Sequence, residues 1–392
     1  MAIWIIAVLS LMVMSFATEA RLQTGVNLYM RERVHVNHLT DAGLQLAEVI
    51  LLNFSQVSDP PDGQTDVDAA KELEEDRWIN EKRELKMFNH VTIGPIVLDE
   101  TNPESGHVQI EVTMLGGGDQ GGTKINVNTL WSGGNQHYKE WWEGIFLWAG
   151  IPEEFEDKDG NKLWDVLVES WNDWRDTDDT QGSEAGAEGQ YYQDEVNEND
   201  EQELPENEWI SPRNGEIADL KELANVRGFR DFPAVLTGGR LDPEDESSPE
   251  VLPLTKVLGT WGGQKINVNL ATEDVLMTIP GLGSREGEKE DGTVAAAIIE
   301  ERDNESPDGK FSDDAEYGFF KSWDNLITRV GSGYNGVGNA AQEYLTFKND
   351  ATEGVQFSVK ITGTSVGISH TIEAVAIVNN GEVVYVRWKE DP

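Results

Sequence analysis

A cluster of carboxylates near the middle of the chain has the residue types and the spacing for metal chemistry. The segment from Asn172 to Asp179 reads NDWRDTDD, and Glu184 and Glu188 follow it before Tyr191. Calcium takes about six to eight oxygen ligands, and carboxylates on a helix end and the following loop can supply them. Crowded carboxylates repel one another unless a cation offsets their charge. The pattern predicts either a calcium site or an acid cluster on the surface of a generally acidic chain.

The composition of the whole chain narrows the classes of function. The 392 residues contain 73 Asp and Glu against 30 Lys and Arg, a formal charge of −43, and no Cys. So acidic a surface repels nucleic acids and anionic lipid headgroups, because affinity for both depends on Lys and Arg. The lack of Cys excludes disulfides, thiolate zinc sites and a Cys nucleophile. Stability must come from burial or from metals bound by oxygen.

Three other motifs match functional patterns by letter only. Asp157 to Asn161 (DKDGN) begins like an EF-hand loop, but Val168 occupies the twelfth position, where Glu is needed, so we expect a turn that caps the next helix. Gly331 to Gly336 fits G-x-G-x-x-G without a preceding strand. Gly363 to Gly367 fits G-x-S-x-G, but a strand pattern follows it, which indicates a hairpin turn. None of the three predicts a site.

Enzyme chemistry finds little support in the sequence. The 6 histidines are scattered, and H-E-x-x-H does not occur. Carboxylate pairs suited to glycoside hydrolysis could be chosen almost anywhere in so acidic a chain, which makes such a choice uninformative. We therefore expect a protein that is not an enzyme.

The N-terminal region predicts one long helix of about 50 residues. Met1 to Ala17 carries no charged side chain. Apolar residues then recur every three or four positions, which is typical of an amphipathic helix packed on a globular part; they are Val36, Leu39, Gly43, Leu46, Ala47, Ile50 and Phe54. The apolar first third would anchor the helix in a membrane. The alternative is a signal peptide cleaved near Ser15 to Ala17.

The remainder of the chain alternates between strand and helix patterns. Short β-branched runs at 91–98 and 107–113, and alternating runs at 355–361 and 383–388, predict antiparallel strands with one solvated face. Between them, Trp164, Trp171 and Trp174 share one face of a helix and predict a core stripe. The pentapeptide KINVN occurs at 124–128 and again at 265–269, and it marks where the chain leaves one domain and where a second similar unit begins.

The segment Asn267 to Gly283 (NVNLATEDVLMTIPGLG) is similar to a helix-hairpin-helix that presents backbone amides to DNA phosphates. Acidic residues outnumber basic ones around it, so repulsion would defeat so weak an anion site. We expect a packing scaffold instead, with Val275, Leu276 and Ile279 inward and a following helix that carries Val294, Ala297 and Ile298.

Several of these segments together resemble one known family. The N-terminal run, with Asp41 to Leu44 (DAGL) followed by Ala47 and Glu48, resembles the N-terminal helix of the type II secretion minor pseudopilin K family, also called general secretion pathway protein K. Further matches follow in order along most of the chain: KINVNT at 124–129, WRDTDD at 174–179, GAE at 186–188 with Tyr191 and Tyr192, RNG at 213–215, and NVNLATEDVLMTIPG at 267–281. The sequence does not show the basic leader and glycine that precede the family's peptidase cleavage site, so we expect a chain that is already processed, truncated or not processed in that way.

The resemblance implies an α+β protein with a pilin-like fold. This fold has a long N-terminal transmembrane and amphipathic helix, an antiparallel sheet and a large inserted helical domain that is SAM-like or helix-hairpin-helix-like. The implied segments are the N-terminal helix (1–58), the first part of the head (59–123), the inserted domain (124–310) and the C-terminal β part of the head (311–392).

The resemblance also implies a function, a cofactor and partners. The protein would sit at the tip of the pseudopilus with minor pseudopilins of types I and J, support export across the outer membrane, and be single-pass in the inner membrane with a periplasmic head and a methylated N-terminus. The family binds structural calcium in its helical domain, and the matching residues here are Asp173, Asp176, Asp178, Asp179, Glu184 and Glu188. The alternative function is a membrane-anchored or secreted acidic calcium-binding module that joins no fibre.

Overall fold

The computed structural model describes most of the chain. The described residues are 2–56, 90–97, 106–116, 122–197, 205, 209–283, 294–303, 320, 322–330, 339–347, 353–379 and 382–391. The Gly331 to Gly336 motif and the proline-rich segment at 59–63 lie outside them.

The described elements follow one another in this order: α1 (Ala2–Gln56), β1 (His90–Val97), β2 (His107–Gly116), β3 (Ile125–Asn126), α2 (Tyr138–Ala149), α3 (Leu163–Arg175), α4 (Gly189–Tyr191), α5 (Ala234–Thr237), β4 (Gly239–Arg240), β5 (Glu250–Val251), β6 (Leu258–Gly259), β7 (Ile266–Asn267), α6 (Glu273–Met277), α7 (Val294–Asp303), α8 (Trp323–Val330), α9 (Asn339–Gln342), β8 (Leu345–Thr346), β9 (Glu353–Ser365), β10 (Ile368–Asn379) and β11 (Glu382–Asp391). Short 3₁₀ helices lie at Val127–Thr129, Leu220–Asn225 and Leu254–Lys256, and a π-helical turn lies at Tyr192–Asn197.

These elements form two compact units. The first contains α1, β1, β2 as far as Met114, and the chain from Phe357 to the end, while the second extends from Leu115 to Gln356. The predicted end of the inserted domain at 310 falls inside the second unit. The reason is that later residues complete its core: Phe320 and Tyr344 are buried there, and β8 pairs in parallel with β7.

In the first unit, α1 packs on a sheet of order β1-β2-β9-β10-β11. The buried apolar contacts begin at Val36 and recur every three or four residues, through Leu39, Gly43, Ala47 and Leu51. A Cβ built on Gly43 would lie 2.7 Å from side-chain atoms of both Val108 and Ile361, so glycine allows the close approach of helix and sheet.

The predicted helical stripe is partly wrong at its end. Leu46 is 38 % exposed, and Leu51, which the sequence pattern did not include, is fully buried. A strict four-residue step from Gly43 through Ala47 to Leu51 keeps these residues over the sheet, whereas Leu46 turns away.

The earlier part of α1 exposes apolar side chains around its circumference. Residues more than half exposed in this part include Met12, Val13, Met14, Phe16, Leu22, Val26, Leu28, Met30 and Val34. Within the described part of the chain, no helix meets the length and apolarity criteria for crossing a bilayer. Most side chains of the first eleven residues lie outside the described set.

In the chain, β2 comes before the second unit and β9 follows it, and these two strands are neighbours in the sheet. The pairs β1–β2 and β10–β11 are antiparallel. Val366 and Gly367 join β9 to β10 with φ values of 48° and 77°, the left-handed pair typical of a two-residue hairpin turn. The expected turn at Gly363 to Gly367 is therefore present, and its serine lies in β9.

The second unit contains a large aromatic core. Trp171 and Trp174 of α3 are almost fully buried, and Trp164 packs against the core with its indole N–H donated to the Ile151 carbonyl at 3.0 Å. Val275, Leu276 and Ile279 are buried as predicted, and so are Val294 and Ile298 of α7. Ala297 of α7 is only partly buried, and Ala295 is buried instead. The hairpin around α6 is thus part of the core.

The two KINVN segments adopt the same local structure. In each, Ile and the first Asn form a short strand, and the side chain of that Asn accepts the backbone N–H of the second Asn. The second Asn then brackets a distant residue with two hydrogen bonds: Asn128 pairs with the backbone N–H and carbonyl of Ile217, and Asn269 with those of Phe320. The pentapeptide therefore marks two equivalent substructures inside the second unit.

Candidate metal centre

Helix α3 places two carboxylates at its C-terminal end. The helix forms because Leu163, Leu167, Trp171 and Trp174 fall on one buried face. Asp173 lies in its last turn and is only 1 % exposed. Asp176 is the residue at which the helix ends, since its backbone is extended while its N–H still bonds to the Asn172 carbonyl.

The loop after α3 folds back and brings a third carboxylate to the first two. Gly182 donates its backbone N–H to Asp173 Oδ1 at 3.1 Å. Gly186 passes so close that a Cβ built there would lie 2.1 Å from Asp173 Oδ2. Glu188 then begins helix α4, with its carboxylate accepting the Gly189 N–H at 3.2 Å. Two glycines thus allow the loop to cover Asp173.

Asp173, Asp176 and Glu188 form a cluster that can hold a cation. Each contributes one carboxylate oxygen, and these three oxygens lie within 4.8 Å of one another. Asp173 Oδ2 and Glu188 Oε1 are buried and have no hydrogen-bond partner. A buried anionic oxygen without a donor is costly, so both atoms fit a site in which a cation supplies the missing interaction.

Burial shifts the protonation of this cluster. Desolvation raises the pKa of Glu188 from its ordinary value of 4.5 to about 7, and the charges of Asp173, Asp176 and Asp179 add to the effect. Desolvation likewise raises the pKa of Asp173 from 3.8 to about 6, against the opposing backbone hydrogen bonds from Gly182 and Ala187. It also raises the pKa of Asp176. All three shifts have the sign expected where negative charges are confined without a counter-ion.

The other three predicted ligands are not in this cluster. Asp178 is exposed, and its carboxylate accepts the Thr180 N–H at 2.8 Å. Asp179 is exposed and acts on Glu188 through its charge. The Glu184 side chain is exposed as well, although its backbone carbonyl accepts a hydrogen bond from Arg227. The structure therefore brings together three of the six predicted carboxylates.

The donor set fits a hard cation with oxygen ligands. Calcium accepts carboxylates together with backbone carbonyls and water, in a flexible geometry of about six to eight ligands. The three gathered residues offer only oxygen, which excludes the thiolate and imidazole environments that zinc and copper favour. Asp173, Asp176 and Glu188 could therefore hold a metal ion that prefers oxygen ligands.

Comparison with known proteins gave one similar solved structure of note. The chain resembles a chain of the GspK-GspI-GspJ complex from the enterotoxigenic Escherichia coli Type 2 Secretion System, with 14 % identity and a TM-score of 0.45, over 83 % of this chain and 98 % of that chain. No family model matches the sequence. No curated protein matches it either.

Two residues that support the cluster could not be identified from the sequence. Gly186 belongs to the GAE motif, but only the structure shows it against Asp173. Arg227 lies 39 residues or more beyond each of the three carboxylates in the chain, yet it donates to the Glu184 and Gly186 carbonyls at 3.2 and 3.0 Å. An isolated arginine after a short helical pattern carries no sequence signal of such a role.

The DKDGN segment is a turn, as expected, but it does not cap the next helix, because the residue at the N-cap of α3 is Lys162 and its side chain makes no capping hydrogen bond. Asp157 Oδ1 accepts the backbone N–H groups of Asp159 and Asn161, and Gly160 has a φ of 81°. Asp157 and Asp159 also accept hydrogen bonds from Arg227, each at 3.2 Å. The two carboxylates are therefore paired with a guanidinium.

Proposed function

We propose that this protein is a minor pseudopilin of the type II secretion system, of the K type, in which calcium stabilises the helical unit. It would assemble at the tip of the pseudopilus with minor pseudopilins of types I and J. The single observation that carries the proposal is the order of the elements. A long N-terminal helix packs on a sheet built from both ends of the chain, and a larger unit is inserted between the neighbouring strands β2 and β9. The motif series of the K family runs through that order.

The exposed part of α1 supports a fibre subunit in an inner membrane. Apolar side chains such as Phe16, Leu22, Val26 and Met30 are all more than half exposed. Burying apolar surface is favourable by about 25 cal/mol per Å², so a stretch of this kind is stabilised by lipid or by neighbouring helices. The proposal assigns both environments to it: lipid before assembly, and helices of other pseudopilins afterwards.

The size of the inserted unit supports a position at the tip. The unit runs from Leu115 to Gln356, so it is larger than the sheet and helix that carry it. An insertion of this size would obstruct the stacking of a further subunit above. This subunit would then form the end of the fibre that supports export across the outer membrane.

Calcium belongs to the proposal because of the orphaned oxygens. Asp173 Oδ2 and Glu188 Oε1 are buried and accept no hydrogen bond within the described part of the chain, and a cation would supply the missing interaction. A cation bound there would join the end of α3 to the start of α4 across the intervening loop. Its role would be structural, because the cluster is built of carboxylates that close a loop.

Co-purification is the experiment that tests the proposal. The full chain is produced in detergent with the type I and type J minor pseudopilins of the same genome, and with a major pseudopilin as the control. A stable complex with I and J, and a methylated N-terminus by mass spectrometry of the native protein, are expected. A protein that binds calcium but forms no complex with I and J would overturn the pseudopilin assignment and favour the calcium-binding module outside any fibre.

A further inference from the structure

Arg227 is a buried cation at the centre of several contacts in the second unit. Its side chain is 5 % exposed. Its guanidinium lies 4.9 Å from the centre of the Tyr191 ring, and its backbone N–H bonds to the Tyr192 hydroxyl at 3.1 Å. A buried guanidinium is retained only where its donors are matched by acceptors, and here four acceptors surround it.

The four acceptors belong to two different loops. One nitrogen of the guanidinium donates to the backbone carbonyls of Glu184 and Gly186. The other donates to the carboxylates of Asp157 and Asp159 in the DKDGN turn. Arg227 therefore connects the loop that covers the candidate metal centre to the DKDGN turn that precedes α3.

The loop held in this way is the one that shapes the carboxylate cluster. Gly186 lies against Asp173 Oδ2, and Glu188 follows it directly. The Gly186 carbonyl also accepts a hydrogen bond from the Gln181 side chain at 3.1 Å, and Ser170 of α3 donates to the Ala185 carbonyl at 3.1 Å. Of these anchors, only Arg227 connects the loop to a segment outside α3 and the loop itself.

The charge of Arg227 is balanced within the same set of contacts. A lone positive charge beside a cation site would weaken cation binding through repulsion. Asp157, with its side chain 5 % exposed, and Asp159 offset that charge by direct pairing. The DKDGN turn thus balances the charge of Arg227, although it is not an EF-hand calcium loop.

We propose that Arg227, paired with Asp157 and Asp159, is the positioning residue of the Asp173, Asp176 and Glu188 centre, and that it sets cation affinity without contacting the cation. The inference rests on the proposed calcium site. Arg227 holds the 184–186 backbone so that Glu188 faces Asp173 before any cation arrives. Preorganisation of this kind raises affinity, because the loop is already ordered and loses little conformational entropy when the cation binds.

Calcium titration of the full chain by calorimetry, with Arg227→Gln and Arg227→Lys, tests this proposal. Arg213→Gln is the matched control, because Arg213 forms a partly exposed ion pair with Glu222 in the same unit. We expect Arg227→Gln to weaken calcium binding about tenfold or more by loosening the loop, Arg227→Lys to recover part of the loss, and Arg213→Gln to bind as the wild type does. Wild-type affinity in a folded Arg227→Gln variant would overturn the proposal.

Asp159→Asn provides a second variant that keeps the turn, because Asp157 holds the turn and Asp159 is about half exposed. It leaves the charge of Arg227 less balanced, so we expect calcium affinity to fall about two- to threefold, with the loss shrinking at high salt. An unchanged affinity would contradict the charge-balancing role.

Hydrogen exchange of the metal-free protein tests the positioning role of Arg227 separately from the proposed calcium site. If the wild type binds no calcium, the calcium part of the proposed function fails. The positioning role is then judged by amide exchange in 182–188, which we expect to be faster in Arg227→Gln than in the wild type and in Arg213→Gln. Equal protection in all three proteins would overturn it.

Discussion

Two carboxylates are unusual at the scale of single residues: Asp173 at the end of α3 and Glu188 at the start of α4 are both buried, and one oxygen of each has no hydrogen-bond partner. The exposures of Asp173 and Glu188 are 1 % and 4 %. The chain has 73 acidic residues, and carboxylates are mostly found exposed to water in folded proteins. The carboxylates of Asp173 and Glu188 are buried instead, and the loss of hydration raises their pKa values.

The pH dependence of calcium binding follows from these pKa values. Without metal, the folded chain holds protons on Asp173 and Glu188 more tightly than the unfolded chain does. Their contribution to the free energy of unfolding is therefore full below about pH 4 and is lost as the pH rises through about 6 and 7. Calcium competes with the same protons, so we expect it to raise the Tm strongly at about pH 8 and little at about pH 5.

Thermal denaturation at the two pH values, with calcium or with EDTA, measures this effect. The double variant Asp173→Asn, Glu188→Gln is the control and should lose the calcium response at both values. An equal calcium-dependent change in Tm at both pH values in the wild type would contradict the assignment.

Gly186 provides a test of the packing over Asp173. A Cβ at this position would overlap Asp173 Oδ2, whereas a Cβ at Gly189, three residues later, would meet nothing within 4 Å. We expect Gly186→Ala to lower the free energy of unfolding by about 1 to 3 kcal/mol, because the loop must move, and to weaken calcium binding. Gly189→Ala should change both quantities little. Chemical denaturation and calorimetry measure them, and similar behaviour of the two variants would refute the close contact.

At the scale of elements, the two KINVN segments stabilise the second unit by contacts between distant parts of the chain. Each pairs a short strand with a distant parallel strand, β3 with β6 and β7 with β8. In each, an Asn closes the loop that follows by bonding to the backbone of Ile217 or Phe320. The same side chain does the same work twice because an amide offers a donor and an acceptor at one end.

Removal of either Asn amide should therefore destabilise the unit. Asn128→Ala leaves the N–H and carbonyl of Ile217 buried without these bonds, and we expect a loss of about 2 kcal/mol or more in the free energy of unfolding. Asn269→Ala should behave in the same way. Gln264→Ala, which removes one exposed hydrogen bond to Gly134, is the control. Denaturation curves test this, and a loss for one Asn but not for the other would contradict their equivalence.

At the scale of the whole molecule, the chain forms two units with separate cores. One is built on α1 and the five-stranded sheet, and the other on the aromatic cluster around α2 and α3. The candidate metal centre lies wholly in the second. Ligand binding stabilises the structure that contains the site, so a metal held there acts on that unit first.

Hydrogen exchange with EDTA and with calcium tests this separation. We expect removal of calcium to speed amide exchange in the last turns of α3 and in 182–196, and to leave β9, β10 and β11 unchanged. The Asp173→Asn variant should show fast exchange in both conditions. A change of equal size in the sheet would mean that the two units do not respond separately.

The sequence by itself determined the local elements and the residue types of the site. Periodicity predicted α1 as one helix, the Trp stripe of α3, the final strands and the inward face of α6, because each of these patterns repeats within a few residues. The spacing of acidic residues predicted a carboxylate cluster between Asn172 and Glu188, and the family resemblance implied six ligands there, with Asp173, Asp176 and Glu188 among them. Contacts between distant residues were decided only by the tertiary structure: the choice of three carboxylates among six, the inclusion of Phe320 and Tyr344 in the second unit, and the placement of Arg227. Burial and long-range pairing depend on which distant segments of the chain pack together, and local sequence patterns do not contain that information.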